Sequence, residues 1–462
     1  MKKKFWDIII EPKKQIPDER KKFSNQALKM LIIPIVIEQF LTLLVGVADT
    51  FMVSHAGEAA ISGVALVNQL NNLFVLIFSS IAAGGSVIVS QYIGTKDRKN
   101  GSLAAGQLML SSAVIAVLVA AIVLIFGKAI FRLLFGSVEE DVLEAGLKYM
   151  RILAYSYIFL AVYNACAGIY RSMGDTKTLM YVSAGMNVIN VIGNAIGIFI
   201  LKAGVAGVAY PSLISRAAAA ICMVILVSNP KHFIYIRLRY VFSFSWRMIR
   251  RIFSIALPNS VENGLFQLTK IAVISIVALF GTAQIAANGV AQSIWALSAM
   301  FCLAMGPAFI TVIGQYMGAG DIEGADYYMK KLLRITIFWA TAWNFAFIGI
   351  SFLLLKIYSL SEAAAFYAII MIIIHNALNG TVCAFSYSLA SGIRAAGDAR
   401  YTMICSLISS VGVRSIFSVL FGLLLGWGVI GTSIAMVMDW LTKAILIWVR
   451  YKRGKWKTFK VI

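Results

Sequence analysis

The sequence predicts an all-α polytopic membrane protein with twelve transmembrane helices, arranged as two six-helix bundles related by a pseudo-twofold axis along the membrane normal. Three observations predict it: the composition, twelve apolar runs of spanning length, and an internal repeat. Of 462 residues, 60% are hydrophobic and 13% charged, with a mean hydropathy of +0.85. A soluble domain is nearer 45–50% apolar and about 25% charged, so this chain carries more hydrocarbon surface than a soluble core can hide.

About 20 apolar residues cross a bilayer as a helix. A basic segment, 1–27, precedes the first run, 28–53, which contains Pro34. The second and third runs, 61–92 and 103–127, flank the charged turn "TKDRKN"; the fourth and fifth, 148–172 and 178–201, flank "RSMGDTK". The sixth, 205–228, holds Pro211 and ends at the basic connector "NPKHFIYIRLRYVFSFSWRMIRR", 229–251. The seventh and eighth, 252–279 and 285–316, hold Pro258 and Pro307; the ninth is 330–357. The tenth, 363–393, reaches "SGIRAAGDAR", the eleventh is 401–425, and the twelfth, 429–449, leads into a basic tail, 450–462. Runs longer than 25 residues call for tilt or protrusion, and the four prolines are the expected bends. The chain thus divides into an N-terminal segment (1–27), an N-lobe (28–228), a linker (229–251), a C-lobe (252–449) and a tail (450–462).

The net charge of +21 is a topological signal and not a nucleic-acid footprint. Of the 41 lysines and arginines, 30 fall in the termini and even-numbered connections, and six in or beside odd-numbered ones. By the positive-inside rule both termini are cytoplasmic and the protein is multi-pass in the plasma (cytoplasmic) membrane. The first apolar run is full length behind its basic segment and does not read as a cleavable signal peptide. The five cysteines form no C-x-x-C pair and read as small buried hydrophobes. His55, His232 and His375 have no metal-ligand spacing, and no G-x-x-x-x-G-K-[ST] occurs. These absences argue against an enzyme and a bound cofactor.

The repeat supplies the functional reading. At an offset of 224, Pro34 pairs with Pro258, Glu38 with Glu262 and Gly57 with Gly281, and "SQYIGTKD" answers "GQYMGAGD". "GIYRSMGDTK" answers "SGIRAAGDAR" at 223. Six spans per half keep both halves in one orientation, as in transporters built of parallel repeats. Shared positions are scaffold or common gating parts; positions where one half breaks the symmetry are candidates for specific chemistry. Asp49 maps onto Val273, and the ladder Asn187, Asn190, Asn194 onto Ser410, Val413 and Phe417. Asn190 and Asn194, four apart, share one helix face. A lone carboxylate in a span costs about 2.5–3.5 kcal/mol on insertion scales, so Asp49 reads as an ion or proton ligand. Oxygens of this kind suit a hard cation such as Na⁺, while a desolvated carboxylate can carry H⁺ instead.

Glu38 lies three turns before Asp49, about 16 Å away on the same side. It and Glu262 are candidates for lobe-to-lobe gating contacts lining a cavity. Lys270 replaces Gly46 of the first half, mid-span, and is expected to pair with Glu38 or Glu262 or to form a positive counter-site. Asn68, Asn187, His375 and Asn376 complete the cavity or gating candidates. Asp439 and Lys443, four apart, are expected to pair, as are Arg171–Asp175 and Arg394–Asp398 within their loops. Arg216 and Arg414 are expected to face the interior.

With Pro34 followed fifteen residues later by "DTFMVSHAG", with "YRSMGDTKT" and "NVIGNAIGIFILKAGVAGVAYPSLISR", and with their second-half echoes, the chain resembles the multidrug and toxic compound extrusion (MATE) transporters. The resemblance implies two six-helix bundles opening alternately to either side, with drug efflux driven by inward Na⁺ or H⁺. It implies a cation site at Asp49, Asn190, Asn194 and Ser212, although "YPS" departs from the usual "AT" context of the last. Some members use acids on spans 7 and 10; span 10 here has His375 and Asn376 but no acid, which places coupling in the N-lobe. The expected activity is secondary antiport of amphipathic or cationic compounds by a monomer, with membrane lipids as its surroundings. The alternative is flipping of a lipid or lipid-linked oligosaccharide.

Overall fold

The computed structural model describes residues 10–55, 57–136, 139–358 and 360–462, apart from the side chains at 135 and 357. Among these, each of the twelve expected spans is a helix and there is no strand. They are α1 (Asn25–Ser54), α2 (Glu58–Gly94), α3 (Arg98–Phe135), α4 (Glu140–Met173), α5 (Thr176–Ala195), α6 (Ala206–Val227), α7 (Trp246–Val277), α8 (Thr282–Gly318), α9 (Ile322–Ile357), α10 (Glu362–Cys383), α11 (Ala399–Ser406) and α12 (Gly428–Lys452). Three of them run on through wider π-helical turns: α5 through Ile196–Ile200, α10 through Ala384–Leu389, α11 through Leu407–Arg414 and Ser418–Leu424. Pro34, Pro211, Pro258 and Pro307 all lie inside helices. Each removes a backbone donor there.

The helices begin and end where local chemistry dictates. Asp97, Asp175 and Asp321 cap α3, α5 and α9 by accepting from the backbone N–H of Asn100, Thr178 and Gly324. The repeat extends to the backbone. Gly174 and Gly397, paired at offset 223, hold φ of 85° and 108° in the turns after α4 and α10, a region that glycine enters without strain.

The chain packs as two compact units, Lys29–Leu257 and Pro258–Ile462 with Met1–Leu28. In the first, α2 and α4 form the buried centre; Phe78, Phe131 and Tyr157 fill it with Val64, Val67 and Leu153. Gly63 meets the backbone of Gly146, so these two helices touch backbone to backbone, the close approach that small residues permit in lipid. α3 turns Leu118, Ile122 and Ile125 outward, as a lipid-facing helix does. In the second unit α8, α10 and α12 are central, with Val273, Val277, Ile294 and Met371 in one cluster and Met436, Trp440 and Ala444 in another.

The N-terminal segment is fastened to the second unit by charge. Lys331 Nζ donates to Glu11 at 2.6 Å, and Tyr327 and Arg334 also bond to Glu11. Arg20 forms ion pairs with Asp321 and Glu323, and Tyr316 Oη donates to the Arg20 carbonyl at 2.8 Å. Burial pushes the Glu11 carboxyl up, but the hydrogen bonds from Lys331 and Tyr327 outweigh it and hold the group below its ordinary 4.5. A carboxyl depressed on folding stabilises the fold above its unfolded value and ceases to do so as pH falls through the folded one. Glu11→Gln is therefore expected to lower the unfolding midpoint by roughly 1–3 °C near pH 7, with the gap to the parent closing as pH is brought below 4.5; a pH series of thermal melts checks both.

Where the π-helical end of α5 meets α6, a Cβ on Gly197 would collide with the Gly207 carbonyl oxygen, whereas one on Gly185 meets nothing within 4 Å. Gly197→Ala is expected to cut the yield of folded protein sharply and Gly185→Ala to leave it unchanged, as read by size-exclusion chromatography.

Candidate functional site

In the first unit, α1, α5 and α6 bring together four of the expected site residues. Asn194 Nδ2 donates to Asp49 Oδ1 at 2.7 Å and lies 3.3 Å from Asn190 Oδ1; Asn190 Nδ2 in turn donates to Ser212 Oγ at 3.1 Å. Asn194 is fully buried, Asn190 7% exposed, and Asp49 and Ser212 half-buried. The helical spacing of four stacks the two asparagines on one face, and Asn194 stands directly before the π-helical turn of α5. Such turns open the regular ladder and recur at functional sites. Asn194 Oδ1 has no hydrogen-bond partner. The cluster therefore offers a carboxylate, two amide oxygens and a hydroxyl, a donor set suited to a small hard cation or, at the carboxylate, to a proton.

Arg216 on α6 is the neighbour that spacing did not supply. Its Nη1 donates to Ser156 Oγ at 2.7 Å, and its charge acts on Asp49 and on the buried Tyr149 and Tyr157. Its only signal in the sequence was a mid-span charge without a partner. Tyr149 Oη reaches Asn68 Oδ1 at 3.4 Å, which ties Asn68 to the same region. Asn187 is half-buried and its Nδ2 has no partner; it lies outside the hydrogen-bonded chain.

The remaining ionisable residues pair differently from the expectation. Glu38 and Glu262 are each held by an arginine inside their own unit. Arg171 Nη2 donates to Glu38 at 2.9 Å, and Arg394 Nη1 to Glu262 at 2.8 Å. These pairs are repeat-equivalent, so both units are pinned by the same ion pair between their first and fourth helices. The local pairs Arg171–Asp175 and Arg394–Asp398 do not form: Asp175 is taken by its helix N-terminus, and Asp398 by Arg450 at 2.7 Å. Asp439 and Lys443 do not pair either. Lys443 Nζ donates to Glu262 at 2.8 Å, and Asp439 accepts from Ser410 at 3.1 Å with Arg414 4.0 Å away. With Glu262 held twice, Lys270 has no carboxylate partner among the described residues of its unit. His375 is fully buried against Trp440, and Asn376 Nδ2 donates to the Ile372 carbonyl. Val273, the counterpart of Asp49, sits in an apolar cluster. Among the described residues no group of His, Cys, Asp and Glu has metal-site geometry.

A family model described as MatE matches the chain twice, over 34–196 and 258–420, two segments separated by the same offset of 224 as the repeat. Among curated relatives, "Uncharacterized transporter YisQ" of Bacillus subtilis is 28% identical over 430 residues, covering 92% of this chain and 93% of its own. "Probable multidrug resistance protein NorM" of Thermotoga maritima is 23% identical over 71% of this chain and 70% of its own. A solved structure described as the outward-facing conformation of a multidrug resistance MATE family transporter superposes with a TM-score of 0.87 at 20% identity, covering 96% of this chain and all of its own.

Breaking a buried ion pair by removing one partner costs about 3–5 kcal/mol when the other charge is stranded. Lys443→Met leaves Glu262 with Arg394 and Ser406, so its loss of stability is expected to fall below that range and below that of Arg394→Met combined with Lys443→Met. Thermal unfolding in detergent checks the order.

Proposed function

The chain belongs to the MatE family of membrane transporters, and from that premise we propose that it exports amphipathic organic compounds by alternating access, in exchange for Na⁺ or H⁺ taken up at Asp49, Asn190, Asn194 and Ser212. The observation that carries the reading is the continuous hydrogen-bonded chain from Asp49 through Asn194 and Asn190 to Ser212, formed by residues that one repeat has and the other lacks. A structural role for Asp49 is a poor account of it, because the second unit folds with valine in that place.

The chemistry follows from the environment. When the site is empty, the Asp49 carboxylate keeps one amide N–H and the field of Arg216 as its compensation. A cation or proton arriving there neutralises the carboxylate and frees α1, α5 and α6 to repack. One charge moving inward through 100 mV supplies about 2.3 kcal/mol, enough to hold a gradient of an uncharged cargo near fiftyfold. The bias of basic residues toward the termini and even-numbered connections supports cytoplasmic termini in the plasma membrane, and the protein acts as a monomer.

Asp49→Asn is expected to abolish gradient-driven export from proteoliposomes, at least a hundredfold in initial rate, while leaving the melting temperature within about 2 °C. The same vesicles under an imposed Na⁺ gradient, then a pH gradient, identify the coupling ion as the one whose gradient accelerates wild-type export and not that of Asp49→Asn. Unchanged export by the variant would remove Asp49 from coupling.

A further inference from the structure

The second unit carries more intramembrane positive charge than its own acids neutralise. Its two deep carboxylates are Glu262 and Asp439, and its cations are Lys270, Arg394, Arg414 and Lys443. Glu262 is saturated by Arg394 and Lys443, both at 2.8 Å. Asp439 is shared between Ser410 at 3.1 Å and Arg414 at 4.0 Å, the latter beyond hydrogen-bond reach. Two cations, Lys270 and Arg414, therefore lack a full counter-charge. Lys270 lies one turn beyond Phe266 on α7, and the Arg414 guanidinium sits 5.7 Å from the Phe266 ring centre. The two charges are near enough to repel.

Resting on the transporter reading, and naming a class of cargo for it, we propose that Lys270 and Arg414 form a binding site for the oxyanion of an amphipathic organic acid, a carboxylate or a phosphate ester on an apolar body. Arg414 is 2% exposed, yet its Nε and Nη1 have no hydrogen-bond partner, and Nη2 has only the Met436 sulfur at 3.3 Å. A guanidinium buried with open donors is costly unless an acceptor completes it, and its planar fork matches an oxyanion. The same region supplies an apolar bed. Met436 lies one turn from Trp440, which stacks on Trp295 at 5.5 Å, and both indole N–H groups lack partners. His375 packs on Trp440 with both ring nitrogens unpartnered. Neither cation has an equivalent in the first unit: Gly46 stands where Lys270 does, and Val191 where Arg414 does. The half without an Asp49 thus bears the surplus of positive charge.

The test uses the full chain in detergent and a matched set of probes: dansylglycine, its uncharged amide, and octyl phosphate, with affinity read by isothermal titration calorimetry. At least one oxyanion is expected to bind tenfold or more tighter than the amide, and whichever does identifies the head group. Lys270→Gln is expected to erase that preference and leave the amide within twofold. Arg414→Gln with Asp439→Asn, which strands no acid, is expected to do the same, and serves if its melt matches the parent. Equal binding of all three probes, or a preference untouched by Lys270→Gln, overturns the proposal. The export reading fails separately: export of ethidium lost in Asp49→Asn with no oxyanion preference in wild type sinks the anion site alone, whereas an oxyanion preference without export of any probe under either gradient sinks the transport reading alone.

Discussion

A carboxylate inside the membrane must be answered by groups close at hand, because the hydrocarbon offers no water to do so. This constraint organises both halves of the chain. Glu38 and Glu262, the deep acids that the repeats share, are each met by an arginine from the last turn of the fourth helix of their unit. That pairing ties the first helix of each bundle to the fourth at equivalent points. The rest of the bundle is packed hydrocarbon, which favours compactness but leaves helix register weakly specified in lipid. A single buried ion pair fixes register at the place where it forms, since sliding by one residue would strand two charges.

With the shared acids spoken for, what remains is what the repeats do not share. In the first unit it is Asp49, met by one amide and by the distant field of Arg216. In the second it is Lys270, met by no acid among the described residues of its unit, and an arginine with open donors. The positions that the two halves share form a scaffold; the chemistry comes from the positions where they differ. The π-helical turns follow the same logic, for they adjoin Asn194 in α5 and contain Arg414 in α11. A wider turn lets a polar side chain leave the regular i, i+4 face at the point where it is needed.

Much of this was legible in the sequence. All twelve spans were, because length and hydropathy alone decide membrane crossing. So was the grouping of Asp49 with Asn190 and Asn194, because broken symmetry marks a position without reference to its neighbours. The ion pairs were not. Spacing of four residues says that Asp439 can reach Lys443; it does not say that Glu262, remote in sequence, reaches it better. Likewise Arg171 was near Asp175 in the chain, but a helix N-terminus with open N–H groups competes for the same carboxylate and wins. Arg216 was visible as a charge and invisible as a neighbour, since only folding of the unit brings its charge to act on Asp49. Sequence distance measures what a side chain could touch, and only packing ranks the competitors.

The charge left over in each unit then bears on the kind of cargo. In the first unit the deep residues Glu38, Asp49, Arg171 and Arg216 sum to zero, so binding a cation at Asp49 makes that half positive. In the second, Glu262 and Asp439 against Lys270, Arg394, Arg414 and Lys443 leave a formal +2 before any ligand arrives. An anionic cargo lowers the second sum toward zero, which is electrostatically favourable in a medium where an uncompensated charge is costly. A cationic cargo has no such opening in the second unit, since its two deep carboxylates are already engaged. The distribution of fixed charge therefore favours cargo that carries a negative group, and it does so through residues that neither the shared scaffold nor the cation cluster requires.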